Sequence, residues 1–529
     1  MNVNRRALLG AMSAAAIGGG NPPTSGAGRA VPTEPSLSEL QAAMARGATT
    51  ALQLTHRYQA RIEQIDRHGP HLRSVLELNP EAIKIASALD AERRAKGARG
   101  PLHGVPVLVK DNIATGDRMS TSAGSLALAN VRAPRDASVV ARLREAGAVI
   151  LGKTNLSEWA NIRSSHSTSG WSGRGGLTLH PYVLDRNPSG SSSGSAVAVA
   201  AGLAPVAVGT ETDGSIVSPS SICGLVGIKP TVGLVSRRGV VPISRTQDTP
   251  GPMACSVADA AALLGALAGP DTLDAATQTA PAAPDYLKSL DRGALSGARL
   301  GFVRGAYTGL DPVDALIDRA VDKLKELGAV VVDPVDLPDT KKYADAELDV
   351  LLYELKAGLN EYLAEFAPHA PVQTLADVIA FNDREHAREM PLFSQDLFVK
   401  AQAKGDLEEA AYKEALALCR RFAREEGIDR ALSENKLDAL IAPTGGPAWL
   451  TDLLNGDSSV ASFSTPAAVA GYPHITVPAG FIAGLPIGLS FVGGAFTEAK
   501  LIGYAYAYEQ ATHHRRPPGF VKTASLKIA

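Results

Sequence analysis

Helical periodicity gives way to short aliphatic runs again and again along this chain. The clearest case is "DASVVARLREAGAVILGKTN", which predicts a helix from Asp136 to Gly147 and a strand from Ala148 to Leu151. A second unit follows the same plan: "ARLGFV", a helix from Pro312 to Leu327, then Gly328 and "AVVV". A helix packed between two strands carries the chain back across a sheet, so units of this kind build a parallel or mixed sheet clothed in helices. Other segments agree. Ala51, Leu54, Tyr58, Ile62 and Ile65 recur at spacings of three and four behind a threonine cap, Asn79 and Pro80 open a helix that stops at Gly97, and "GVPVLVKDN" reads as a buried strand ending at Lys110. No fixed-period repeat and no low-complexity linker follows residue 35. The expectation is therefore one large α/β domain over residues 31–529, with a mixed, mostly parallel central sheet covered by helices on both faces. The charged, helix-rich stretch from about 340 to 435 is read as an elaboration on that sheet, placed as a lid over a site.

Charge and cysteine content narrow the function classes. Lys and Arg number 52 against 54 acidic residues, a formal net charge of −2, which offers no electrostatic footprint for nucleic acid or an anionic membrane. Cys223, Cys255 and Cys419 are odd in number and far apart, which excludes a disulfide framework and CxxC metal knuckles; they read as small buried apolar residues. At the N-terminus, Arg5 and Arg6 precede a weakly apolar Ala/Gly-rich run and then "NPPTSGAGRA". Residues 1–30 are read as a twin-arginine export signal, which would make the mature protein periplasmic or secreted. No later apolar run is long enough to cross a bilayer, so the mature chain is expected to be soluble.

Gly147, Gly152, Lys153 and Thr154 satisfy GxxxxGK[ST], but a helix precedes the first glycine and "AVIL" between the two is itself the strand. A phosphate loop needs a strand first and an open loop between the glycines, so nucleotide binding is set aside. A more demanding puzzle is "NPSGSSSGSA" at 187–196, which could be a linker, yet holds Gly190, Ser192 and Gly194 in the GxSxG arrangement of a nucleophile elbow. Downstream come an Ala-rich helix, a strand through Val206 to Val208, and a Gly/Ser/Thr-rich turn ending in Ser215, able to aim several backbone N–H groups at one point. A nucleophilic serine needs a base. No Ser/His/Asp arrangement is evident, and His103 and His474 read as structural. Lys110, at the end of an apolar strand, is placed for burial to lower its pKa and make it that base; a salt bridge to a nearby Asp is the alternative.

"GVPVLVKDN", "GKTNLSEWA", "SGSSSGSAVAVAAG", "GTETDGSI", "CGLVGIKPT" and "QDTPGPMACSVADAA", in this order, resemble the amidase signature family from about residue 34 to 515. The resemblance implies that family's fold and a Ser, cis-Ser, Lys triad. Its lysine falls on Lys110, its bridging serine on Ser191 and its nucleophile on Ser215, with a cis peptide between Gly190 and Ser191 and an oxyanion held by backbone N–H groups of Thr212, Asp213, Gly214 and Ser215. Under this reading the GxSxG match at Ser192 is accidental. No cofactor and no metal is implied; the partners are an amide substrate and water, in a monomer or homodimer. Asp213 stands where the family more often has glycine, and the arginine that usually follows its GGSI is missing. Asp213 keeps the needed N–H, whereas a dihedral open only to glycine would not suit it. The extended text around "GTETDGSIVS", with "SGWSGRGG" upstream, is similar to the bacterial peptide amidase branch, whose members remove the C-terminal amide of peptides. Amidases of the same family acting on aryl or aliphatic amides are the nearest alternative. A transamidosome component, an esterase using Ser192 and a non-catalytic anion-binding protein are more distant ones.

Overall fold

The computed structural model describes residues 34–524; the proposed export signal lies outside the described residues. In chain order the strands are β1 (Val75–Leu78), β2 (Pro106–Lys110), β3 (Val149–Thr154), β4 (Trp171–Ser172), β5 (Gly176–Leu177), β6 (Val206–Glu211), β7 (Val226–Lys229), β8 (Thr249–Ala254), β9 (Arg299–Phe302), β10 (Val330–Val332), β11 (Ala439–Pro443), β12 (His474–Ile482) and β13 (Leu485–Val492). Eleven of them form one sheet in the order β1-β3-β2-β6-β8-β7-β12-β13-β11-β9-β10, while β4 and β5 pair separately.

The fold is the expected α/β domain on a mixed sheet. Parallel pairing is confined to two blocks, β3-β2-β6 and β11-β9-β10. The other pairings are antiparallel, so parallel neighbours are fewer than the sequence led one to expect. The reason is local. A two-residue turn joins β12 to β13 as a hairpin, and β7 and β8 lie antiparallel between the two crossover blocks.

Strands β2, β3, β6, β7, β8 and β13 are buried at every position. Successive side chains of a strand point to opposite faces, so both faces of this sheet are covered. One apolar cluster runs from Leu37 to Tyr508 and forms the main core of a single large domain. Local signals behave as read. Thr50 forms a capping box with Gln53 before the helix Ala51–Arg61, and the helix Ala82–Lys96 ends at Gly97 with φ 83°. Glycine also serves close packing: a Cβ on Gly194 would lie 2.5 Å from the Asn155 carbonyl oxygen and 2.6 Å from its nitrogen. Among the described residues no helix is long and apolar enough to cross a membrane. Cys223 and Cys419 are buried and Cys255 is half-buried, all three as free thiols.

Candidate active site

β2 and β6 are adjacent and parallel, so their C-terminal ends open at the same edge of the sheet. Lys110 is the last residue of β2, and Ser215 lies four residues past the end of β6. The Gly/Ser run leads into the helix Ser193–Ala200. These three passes bring the predicted residues into one chain of contacts. Lys110 Nζ donates to Ser191 Oγ at 2.7 Å, and Ser191 Oγ donates to Ser215 Oγ at 3.1 Å. The Gly190–Ser191 peptide is cis.

Lys110 is fully buried, and burial lowers its pKa from 10.5 to about 7, against the smaller opposing pull of Asp248 and Glu211. The salt-bridge alternative fails for a specific reason. The carboxylate next to it, Asp111, lies 3.9 Å from Lys153 and 3.3 Å from Arg174. Lys110 has neutral oxygens around it instead: Thr210 Oγ1 at 2.9 Å and the Thr210 carbonyl at 3.3 Å, besides Ser191. Asn112 Nδ2 donates to the same Thr210 hydroxyl at 3.0 Å.

Between β6 and the helix Val217–Ile222, the N–H groups of Asp213, Gly214 and Ser215 have no hydrogen-bond acceptor among the described residues. They are the donors an oxyanion would use. Positive φ falls on Gly214 (77°) and not on Asp213, so the exchange of glycine for aspartate is tolerated by the backbone. The Asp213 side chain accepts from Thr465 Oγ1 at 2.7 Å, and burial raises its pKa.

Three acidic residues that sequence reasoning missed fix this segment. Glu211 Oε2 accepts from the N–H groups of Ile216 (2.7 Å) and Val217 (2.9 Å), tying the turn back onto its own strand. Asp248 accepts from Thr212 Oγ1 at 2.5 Å and from the N–H groups of Ile243 and Ser244, with burial pushing its pKa up to about 6. Glu347 accepts from Gln247 Nε2 (3.0 Å), which also reaches the Thr212 carbonyl (3.3 Å); burial and the neighbouring Asp213 raise its pKa. Glu211 stands at the end of β6, just ahead of the helix Val217–Ile222, and a carboxylate before a helix N-terminus is a signal that sequence reasoning could have used. Asp248 stands within the quoted run "QDTPGPMACSVADAA", but nothing local shows that it would reach Thr212, and nothing local marks Glu347.

The other sequence candidates sit where structure rather than chemistry employs them. Ser192 Oγ donates to the Thr210 carbonyl (3.0 Å) and accepts from the Thr210 N–H (3.1 Å), a buried clasp between the serine run and β6. Lys153, of the rejected phosphate-loop match, is buried in β3 and donates to the Ile113 carbonyl (2.6 Å) and Thr121 Oγ1 (2.9 Å). His103 Nε2 bonds the Leu89 carbonyl at 3.0 Å. His474 bonds Ser490 Oγ at 2.5 Å and is kept neutral by burial, its pKa lowered to about 3.

A cavity of about 260 Å³ adjoins the triad, lined by Gly190 and Gly214, the residues immediately before Ser191 and Ser215. Ser169, Asp213, Ser464, Thr465 and Trp449 complete much of its wall. The region 340–435, expected as a lid, contributes nothing to that wall. It buttresses the Thr212 segment from behind through Glu347, while the chain from 444 to 465 borders the cavity.

The Amidase family model matches residues 53–502. A probable amidase of Arabidopsis thaliana is 43% identical over 92% of this chain and 92% of its own. Among solved structures, the native peptide amidase of Stenotrophomonas maltophilia is 54% identical with a TM-score of 0.88, over 92% of this chain and 99% of that one. An amidase family protein of Bacillus anthracis is 37% identical with a TM-score of 0.83, over 92% of each chain. Family model, relatives and fold agree, and the chain belongs to the Amidase family.

Proposed function

We propose that this amidase hydrolyses the C-terminal carboxamide of peptides, releasing ammonia and leaving internal peptide bonds whole. The observation that carries the reading is the 54% identity to a peptide amidase over 92% of the chain. The roles proposed for the site residues follow from its contacts. Ser215 Oγ attacks the carboxamide carbon while its proton passes to Ser191, whose own proton passes to neutral Lys110. A hydroxyl donates and accepts at once, so Ser191 relays the proton without holding charge. The oxyanion is met by backbone N–H groups of the Thr212, Asp213, Gly214 and Ser215 segment, a stabilisation of about 3 to 4 kcal/mol per donor in comparable sites. The proton returns through Ser191 to the leaving nitrogen, ammonia departs, and water takes the place of Ser215 by the same route in reverse.

Selectivity in this reading is steric. A wall just beyond the amide nitrogen admits NH2 and rejects the next residue of an internal bond. The modest cavity supports a second reading, hydrolysis of small aryl or aliphatic amides. Mass spectrometry of an amidated peptide separates them: conversion of the terminal amide to acid without shorter fragments supports the first. An untouched peptide beside a rapidly hydrolysed aryl amide supports the second.

We also propose that the enzyme acts outside the cytoplasm, on the strength of Arg5 and Arg6 before the Ala/Gly-rich run. Replacing both by lysine should then retain the protein in the cytoplasmic fraction; unchanged export would refute this.

A further inference from the structure

The chain from Gly445 to Ser462 leaves the cavity and returns to it. A backbone bridge between those two residues closes its stem, and Phe463 N donates to the Thr444 carbonyl at 3.0 Å beneath it. It is a compact surface loop with adjacent ends. Trp449, Val460 and Ala461 line the cavity from one side of the loop. Outside the cavity lining Leu454 is 88% exposed, Leu450 56% and Leu453 41%, and Val460, itself part of that lining, is 36% exposed. A single exposed leucine needs no explanation. Here four of the ten large apolar side chains exposed among the described residues lie between positions 450 and 460, beside a binding cavity.

The loop is held, not slack. Trp449 O accepts from Asn187 N (2.8 Å), Thr451 N donates to the Asp185 carbonyl (3.1 Å) and Thr168 Oγ1 to the Asp452 carbonyl (3.1 Å). Asp452 Oδ1 accepts from the N–H groups of Leu454 and Asn455, both at 2.9 Å, and so fixes the turn that presents Leu453 and Leu454. Asp457 anchors the far limb by accepting from Ser169 N (3.0 Å) and Ser169 Oγ (2.5 Å). A polar frame therefore keeps an apolar rim facing outward.

We propose that this rim carries the apolar side chains of the peptide upstream of the scissile amide, so that the enzyme prefers carboxamides preceded by apolar residues. The inference rests on the peptide-amide reading above. The occupant follows from continuity, because Val460 belongs both to the cavity wall and to the exposed rim. A chain with its amide at Ser215 that leaves by the cavity mouth on this side runs onto the loop. Between 444 and 465 the chain holds Asp452 and Asp457 and neither lysine nor arginine, which disfavours an anionic membrane surface.

The test uses the full enzyme and the variant Leu450→Ser/Leu454→Ser, whose side chains are too exposed to be needed for folding. Three substrates are compared: a tetrapeptide amide with leucine at the two positions before its last residue, the same peptide with serine there, and the acetylated last residue as its amide. The wild type should favour the leucine peptide. The variant should lose about tenfold in kcat/KM on it, mainly through KM, and change less than about twofold on the acetylated amide. Equal rates on both tetrapeptides in the wild type would overturn the proposal, as would an equal loss on all three substrates or no loss at all. A change only in sedimentation or vesicle binding would overturn it in favour of self-association or a membrane contact. Hydrolysis of a simple aryl amide with no ammonia from either tetrapeptide would identify failure of the peptide-amide reading itself, and the rim proposal would fall with it.

Discussion

Ser191 Oγ and Ser215 Oγ are 3.1 Å apart, yet Ser215 is 8% exposed and Ser191 is sealed from solvent. Under the proposed mechanism the hydroxyl at the surface of this buried relay attacks the substrate and the hydroxyl behind it passes the proton. Ser215→Ala is therefore expected to lower kcat by about 10⁴-fold or more, and Ser191→Ala to leave a measurable residue because water can stand in for a relay. Labelling with a fluorophosphonate checks the assignment: Ser215→Ala should not label at all, and a labelled, active Ser215→Ala enzyme would sink it.

Under the proposed mechanism Lys110 sets the pH dependence. With a pKa brought down to about 7 by burial, the amine is neutral above that value and protonated below it, so kcat/KM should climb through an acidic limb near pH 7 and level off above. A flat profile from pH 5 to 9 would contradict its role as base.

The same lysine burdens stability with a definite sign. Its folded pKa, about 7, lies below its ordinary 10.5, so between those values the unfolded chain binds more protons than the folded one. Stability then rises with pH across that window, and the penalty is complete below pH 7. Lys110→Met should abolish turnover while raising Tm more at pH 6 than at pH 10. A gain that is the same at both pH values, or larger at pH 10, would show that lysine desolvation is not its source.

Ser192 offers a control inside the same run. Ser192→Ala removes a clasp to Thr210, so it should cost about 1 to 3 kcal/mol of stability in a denaturant titration while sparing most of the turnover of the folded enzyme. Total loss of turnover in a protein that still folds would restore the elbow reading.

Glu211→Ala leaves the Ile216 and Val217 N–H groups without their carboxylate, next to the proposed nucleophile. A lowered Tm and a lower kcat are expected together, at about 1 to 3 kcal/mol per orphaned donor, with Glu211→Gln recovering part of both because its amide oxygen can still accept. Unchanged kcat in Glu211→Ala would mean that the carboxylate does not position the turn.

What could be read from residues alone was local. Helix caps at Thr50 and Gly97, the strand ending at Lys110 and the turn at Ser215 each announce themselves within a few positions. The amidase motifs then placed Lys110, Ser191 and Ser215, which the fold brings into contact. What could not be read was set by distant partners. Thr210 looks like any β-branched strand residue until Lys110, a hundred positions earlier, is laid beside it. Asp248 and Glu347 reach the Thr212 segment across sheet and helix, and the loop 445–462 has no motif to mark it as cavity wall. Antiparallel pairing in the middle of the sheet escaped for the same reason, since strand order depends on contacts that periodicity does not encode.

Burial of Lys110 and Ser191 behind Ser215 has a consequence for traffic. Under the proposed mechanism, with the relay closed at its rear, amide, ammonia, water and acid product all use Ser215 as their doorway. Under that mechanism the doorway enforces a queue: ammonia must clear it before water can enter, and the acyl portion, bonded to Ser215 until water attacks, leaves last. Any small amine waiting at that doorway competes with water on equal terms of access, so the ratio of acid to newly formed amide reports which of the two is admitted more readily.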